Sequence, residues 1–253
     1  MMPFLSVFGL KIPMYGIMIV LSLFTVNTIA FIITKKNNES FDDFLLAECF
    51  FCLGAVIGSK ALYLILNIHM IEWSRILELN YVKSLMNSGF VFFGGLFGGF
   101  LGIKAGKSLN VISAGHDYLN EYAFLFPLGH GIGRFGCHFA GCCYGIEYHG
   151  ICHLRFPPES FAPSDTELFP VQLTEALLLF ILAVYILMKE NNKGTSFAVY
   201  ISIYSIIRFF TEFLRGDDIE RGVYFLSTSQ WIALLILIIT VIKPDIFNLR
   251  TDQ

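Results

Sequence analysis

Arg134 lies in the run PLGHGIGRFGCHFAGCCYG (Pro127–Gly145), a guanidinium set among glycine, aromatic and cysteine residues at the end of an apolar stretch. An ionisable group at bilayer depth is expensive, and it is retained where it faces a protein interior or a watery cavity and meets a partner. The placement therefore points to an anion site. A second constellation is YSIIRFFTEFLRGD, which spaces Tyr204, Arg208, Glu212 and Arg215 by four, four and three residues. On a helix those offsets stack a phenol, a guanidinium, a carboxylate and a second guanidinium on one face. Such a stripe cannot face lipid. Two readings are open: an interhelical salt bridge with snorkelling arginines, or a pair of arginines that holds a phosphate through their planar forks while Glu212 orients them.

The thiols and imidazoles form a third group. Cys137, Cys142, Cys143 and Cys152 gather with His138, His149 and His153, whereas Cys49 and Cys52 sit in an apolar segment and read as small packing residues. For the gathered cysteines, a disulfide or structural thiols on an oxidising outer face, a soft-metal site, and thiol chemistry at Cys142 with His130 or His138 as base all stand open. The C-x4-C-C spacing is not a standard zinc pattern, so no metal ligands are assigned. No cofactor is expected.

These residues need a scaffold, and the chain supplies an apolar one. Of 253 residues, 55% are apolar and 15% charged, with 27 Phe, a net charge of −3 and a mean hydropathy of +0.66. That is too little polar surface for a soluble domain of this length, and the net charge argues against a nucleic-acid partner. Apolar stretches predict about seven membrane helices near Tyr15–Thr34, Phe44–Leu66, Phe90–Ile103, Tyr118–Phe139, Gln172–Met188, Phe197–Leu214 and Ser229–Ile242. The first runs on without a small-residue cleavage pattern, so it reads as a span and not a signal peptide. The third contains FFGGLFGGFLG, whose small residues let helix backbones approach closely.

Basic residues set the expected orientation. One set of helix ends holds Lys35, Lys36, Lys104, Lys107, Lys189, Lys193, Lys243 and Arg250, and the other holds Lys11, Arg75, Lys83, Arg155 and Arg221. Eight against five places the N-terminus outside and the C-terminus in the cytoplasm. The loops 67–89 and 141–171 then lie outside, the second as a small extracytoplasmic cap. No repeat or low-complexity linker divides the chain, so residues 1–253 read as a single all-α integral membrane domain.

Several motifs, in this order and spacing, resemble the prolipoprotein diacylglyceryl transferases: IPMYGIM, IGSKALYLIL, FFGGLFGG, PLGHGIGRFG, FPVQLTEA and RFFTEFLRGDD. The resemblance spans almost the whole chain. It implies a seven-helix bacterial inner-membrane enzyme that moves the diacylglyceryl group of phosphatidylglycerol onto the cysteine thiol of a prolipoprotein signal peptide and releases glycerol phosphate. By the same resemblance Arg134, Tyr204, Arg208, Glu212 and Arg215 fall on motif positions, and Tyr15, Gln172 and Glu175 on substrate-binding ones. Phosphatidylglycerol or another anionic phospholipid and the signal peptide are the implied partners.

Two departures qualify the match. The motif position that carries a histidine in the family is Phe93 here. The tail after the signature arginine, which has two asparagines and an acid in the family, carries Cys137, Ala140 and Cys142. His130 is the nearest substitute base in sequence, and Cys142 occupies the place of the acid. The chain thus resembles a divergent, cysteine-bearing branch. A related transferase with a different acceptor, and a non-catalytic lipid- or metal-binding homologue, remain as alternatives.

Overall fold

A computed structural model describes residues 2–7, 9–113, 115–189, 195–217 and 222–247. Lys193, Arg221 and Arg250, used in the charge count above, lie outside the described residues. The elements run β1 (Phe4–Val7), β2 (Leu10–Pro13), α1 (Met14–Asn37), α2 (Phe41–Leu66), α3 (Leu79–Asn87), α4 (Phe92–Ser108), α5 (Tyr118–Glu121), α6 (Leu125–Ala140), α7 (Val171–Met188), α8 (Ser196–Glu212), β3 (Gly222–Val223), β4 (Leu226–Ser227) and α9 (Thr228–Ile242). The chain forms two compact units, residues 38–118 in one and residues 1–37 with 119–248 in the other.

In the unit of residues 38–118, α2 packs along α4, and glycine decides how closely. A Cβ on Gly98 would run into the Gly54 carbonyl, and one on Gly58 into the Gly94 carbonyl. Only hydrogen at these positions lets the two backbones touch. Helix α2 opens on Ser40, whose hydroxyl accepts from the Asp43 amide at 3.3 Å, with Asp42 and Asp43 in its first turn as the helix dipole favours. The 67–89 loop contains the short amphipathic helix α3. Lys60 of α2 ties the end of that loop to the helix by donating to the Ser88 and Gly89 carbonyls, with its ammonium 4.8 Å from the Tyr63 ring and 5.1 Å from the Phe90 ring. Among the described residues the buried cation thus satisfies backbone acceptors and not an acid.

In the other unit the β1–β2 hairpin pairs Phe4 with Pro13 and leads directly into α1. Helix α1 packs on α6, α6 on α7, α7 on α8, and α8 on α9. The outward faces are apolar: Val20, Phe24, Leu177, Phe210 and Val241 are each more than half exposed. Polar groups on the exposed side of α1 are satisfied within the helix, with Thr25, Asn27 and Thr28 bonding the carbonyls of Leu21, Leu23 and Phe24 at 2.8, 2.9 and 2.7 Å. A surface of this kind suits hydrocarbon and not water, because these side-chain donors are satisfied by carbonyls of their own helix. Among the described residues α1, α2 and α7 are long and apolar enough to cross a membrane, and α9 is shorter.

Two expectations need correction. The stretch Tyr118–Phe139 is not one helix: α5 ends at Glu121, the Leu125 and Phe126 amides close tight turns onto the Tyr122 and Ala123 carbonyls (3.0 and 3.3 Å), and α6 begins at Leu125. Pro127 then falls in the first turn of α6, where its missing N–H costs nothing. The second correction concerns Arg215, which lies beyond α8. After Glu212 the chain tightens into i→i+3 bonds, and the Arg215 amide donates to the Glu212 carbonyl at 3.2 Å. Gly216 then brings the strand against residues 144–146, where Gly145 and Arg215 form an antiparallel bridge. Helix and stripe therefore end together at Glu212.

Residues 141–170 fold without helix between α6 and α7. Phe156, Ala162 and Leu168 make a small core beneath Tyr144 and Leu154, and Leu168 bridges to both Glu147 and Leu154. On its exposed side Glu167 accepts from His149 Nδ1 at 2.8 Å and from Arg155 at 2.6 Å. These contacts hold the Glu167 carboxyl at about 2, the His149 bond being the larger cause, while the same bond raises the His149 imidazole above its ordinary range.

Candidate active site

Helix α6 can carry Arg134 into the interior because its neighbours come close. A Cβ on Gly136 would meet the Tyr15 ring and the Met18 side chain at 3.1–3.2 Å, and a Cβ on Gly131 would strike the Phe180 ring. Glycine on opposite faces of α6 thus admits α1 on one side and α7 on the other, and Ser22 of α1 donates to the Gly129 carbonyl at 2.9 Å. The single arginine of the segment is held between them, with its side chain 10% exposed.

Its acid partner is Glu175 of α7. Arg134 Nη2 lies 2.6 Å from Glu175 Oε1, and the Tyr204 hydroxyl donates to that same oxygen at 3.1 Å. Tyr204 also lies 3.4 Å from Arg134 Nη2. Helices α6, α7 and α8 therefore meet at one buried triad. His130, one turn before Arg134, packs its ring edge-on against Tyr204 with centroids 4.8 Å apart, and its Nδ1 lies 3.3 Å from the Tyr200 hydroxyl. It is also within electrostatic reach of both Arg134 and Arg208.

One turn beyond Tyr204, Arg208 pairs with Glu212 at 2.6 Å and approaches the Ser229 hydroxyl at 3.4 Å. Arg215 reaches Glu212 at 3.8 Å but makes its short contacts with Asp217, at 2.9 and 2.7 Å through Nε and Nη2. Asp217 was not singled out in the sequence, although its two-residue offset from Arg215 could have signalled a local fork. The three arginines thus each meet a carboxylate. Two of them are not saturated, since Arg134 Nε and Arg208 Nη1 are buried N–H donors with no hydrogen-bond acceptor among the described residues. Buried guanidinium donors of this kind are groups that an incoming phosphate could engage.

The remaining expected residues divide. Gln172, 1% exposed on α7, donates to the Cys142 carbonyl at 3.0 Å and so anchors the turn after α6. Tyr15 stands at the α1–α6 contact and is partly exposed, within electrostatic reach of Arg134 and of Cys137, Cys142 and Cys143. All six cysteines are free thiols. Cys137, Cys142 and Cys143 come together with their sulfurs within 4.8 Å of one another, while Cys152 is exposed and outside that group. His149 and His153 belong to the cap cluster around Glu167. His138 packs against Phe156, its ring centroid 6.0 Å away.

With this geometry in hand, the relatives are informative. Residues 3–243 match the sequence model of the prolipoprotein diacylglyceryl transferase family. The chain is 34% identical over 252 residues to phosphatidylglycerol–prolipoprotein diacylglyceryl transferase 2 of Clostridium perfringens, covering 97% of this chain and 94% of that protein. It is 33% identical over 251 residues to the Clostridium tetani transferase, covering 97% of each. A Dehalococcoides mccartyi transferase is 32% identical, covering 93% of this chain and 89% of the relative. A match across nearly the full length means that this chain belongs to the prolipoprotein diacylglyceryl transferase family.

Proposed function

We infer that this protein is a bacterial inner-membrane enzyme that transfers the diacylglyceryl group of phosphatidylglycerol to the cysteine thiol of a prolipoprotein signal peptide. The observation that carries the reading is the buried centre of Arg134, Glu175, Tyr204, Arg208 and Glu212, in which two guanidinium groups keep N–H donors with no acceptor among the described residues. The reaction forms a C–S bond at the glycerol carbon and breaks the C–O bond to phosphate. Negative charge accumulates on the departing phosphate oxygen, and fixed donors aimed there lower the barrier without reorganising. Arg134 and Arg208 are the donors in this reading. Glu175 and Glu212 hold the two forks in place, Tyr204 links the helices that carry them, and Arg215 with Asp217 borders the same end. His130, beside both arginines, is the group we assign to proton transfer, and Tyr15 and Gln172 line the approach.

In this reading α1, α2, α4, α6, α7, α8 and α9 are the seven spans, with the N-terminus outside, the C-terminus cytoplasmic and the 141–170 cap on the outer face. The lysine and arginine asymmetry supports that orientation. The test is transfer of radiolabelled diacylglyceryl from phosphatidylglycerol to a signal-peptide acceptor by purified protein. Arg208→Ala should lose a charge-assisted contact of about 1.5–3 kcal/mol, or about 10- to 150-fold in rate. Arg208→Lys should restore it only partly, because an ammonium lacks the fork. Unchanged turnover in a folded Arg208→Ala protein would sink the assignment.

A further inference from the structure

The three cysteines beside Arg134 have no counterpart in the phosphate-binding roles just described. Cys137 sits on the last turn of α6. Gly141 then caps the helix at φ +76, and Cys143 adopts φ +55, a left-handed conformation that is uncommon for a side-chain-bearing residue. This strained turn folds Cys142 and Cys143 back over Cys137, and the Gln172 amide fixes it by donating to the Cys142 carbonyl. The result is three half-buried sulfurs within 4.8 Å of one another. Three thiolates around one zinc at ~2.3 Å would stand ~3.8 Å apart, a small closure from that spacing. Three thiolates with zinc(II) carry one net negative charge, and Arg134 and Arg215 are both within electrostatic reach of Cys143 to offset it.

We propose that Cys137, Cys142 and Cys143 bind one zinc(II) ion and leave its fourth coordination position for the acceptor cysteine thiol. The ion-binding half stands on the sulfur geometry alone. The role of the open position rests on the transferase reading above. Three protein ligands and one free position is the form catalytic zinc takes, and a thiol that coordinates zinc is deprotonated outright. The acceptor thiol gives up its proton on binding. Its sulfur lone pair forms the C–S bond, and the C–O bond breaks with its electrons passing to the phosphate oxygen. The released phosphate monoester finally carries the proton. No electron is exchanged with an outside reagent, and the thioether product, a poor ligand, leaves the ion. Attack by Cys142 itself is excluded on chemical grounds: it would leave a thioether on the enzyme, whose C–S bond a second thiol does not break.

Cobalt(II) is the probe. The reduced, metal-stripped protein in detergent should bind one equivalent with thiolate-to-metal absorption. Cys137→Ser and Cys142→Ser should each weaken binding at least about tenfold, and Cys52→Ser should not. Zinc should displace the cobalt. A signal-peptide thiol should then add a fourth sulfur to the spectrum, whereas the same peptide with its thiol methylated should leave it unchanged. Absence of cobalt binding in wild type, equal binding after replacement of all three cysteines, or selective uptake of copper(I) as a closed three-sulfur complex would each overturn the proposal. So would a bound ion whose spectrum ignores the acceptor peptide. A cobalt site that responds to the thiol in a protein without transfer activity would instead count against the transferase reading and leave the metal site standing.

Discussion

Breaking the Arg134–Glu175 pair from each side, and then removing it altogether, separates what the centre does for the fold from what it does for the reaction. The contact is 2.6 Å long, and the two side chains are 10% and 2% exposed. Arg134→Met strands a buried carboxylate whose remaining bond comes from Tyr204. Glu175→Gln strands a buried guanidinium. Each single change should cost about 3–5 kcal/mol, because an uncompensated charge stays in the interior. If the two costs were independent, the double variant would lose about 6–10 kcal/mol and would not fold. With both charges gone neither change leaves an uncompensated buried ion behind, so Arg134→Met/Glu175→Gln should be more stable than either single variant. Reversible unfolding in mixed micelles, followed by circular dichroism, measures all four proteins. Turnover should behave oppositely: the double variant recovers stability but stays as inactive as Arg134→Met, since the phosphate still lacks its donor. A double variant whose stability loss equals the sum of the singles would refute the reasoning, and recovery of activity along with stability would remove Arg134 from phosphate binding.

Three further outcomes are expected. Gly98→Ala should destabilise the α2–α4 pair by about 1–3 kcal/mol, since its Cβ meets the Gly54 backbone, whereas Gly95→Ala, with its nearest atoms at 3.5–3.6 Å, should be close to neutral in the same unfolding assay. In the cap, Glu167 is held at about 2, so its contribution is present above the ordinary carboxylate range and lost as pH falls towards 2. His149 is raised, so its contribution is complete below the ordinary histidine range, near 6.5, and lost as pH rises through its folded value. Amide protection across residues 145–168, taken relative to the intrinsic exchange rate at each pH, should therefore be greatest between about pH 4.5 and 6.5, and a flat protection profile would show that the cluster does not hold the cap. A variant whose sole cysteine is the exposed Cys152 should react with a membrane-impermeant maleimide in intact cells, and labelling only after permeabilisation would reverse the orientation.

The helices were legible because apolar runs of this length have few alternatives. The Phe4–Pro13 hairpin was not, since four-residue strands leave almost no periodic signal and the turn depends on Gly9 at φ +80. Tyr204, Arg208 and Glu212 could be read as one face from their spacing alone. The Arg215 position could not, because the helix stops where Gly216 admits a strand, a tertiary event with no local marker beyond the glycine. Arg134 announced itself as a buried cation, but its partner lies 41 residues away on another helix, and only the family resemblance had pointed to Glu175. The thiol cluster was half visible. Four cysteines and their order could be counted, but the left-handed Cys143 that brings three sulfurs together and leaves Cys152 outside is a matter of backbone geometry.

The pairing of α1 with α6 also sets a schedule for assembly. Ser22 and Gly129 are separated by 107 residues, so at about 5–20 residues per second the first helix waits roughly 5–20 s in the bilayer before its partner has been synthesised. Residues 38–118 are contiguous, and their glycine seam can close during that interval. The delay is tolerable because Thr25, Asn27 and Thr28 each donate to a carbonyl of their own helix, leaving a lone span that lipid can solvate. Chain growth from the ribosome therefore delivers the 38–118 unit early and the arginine centre late, so a truncated chain would insert stably long before it could bind a phospholipid headgroup.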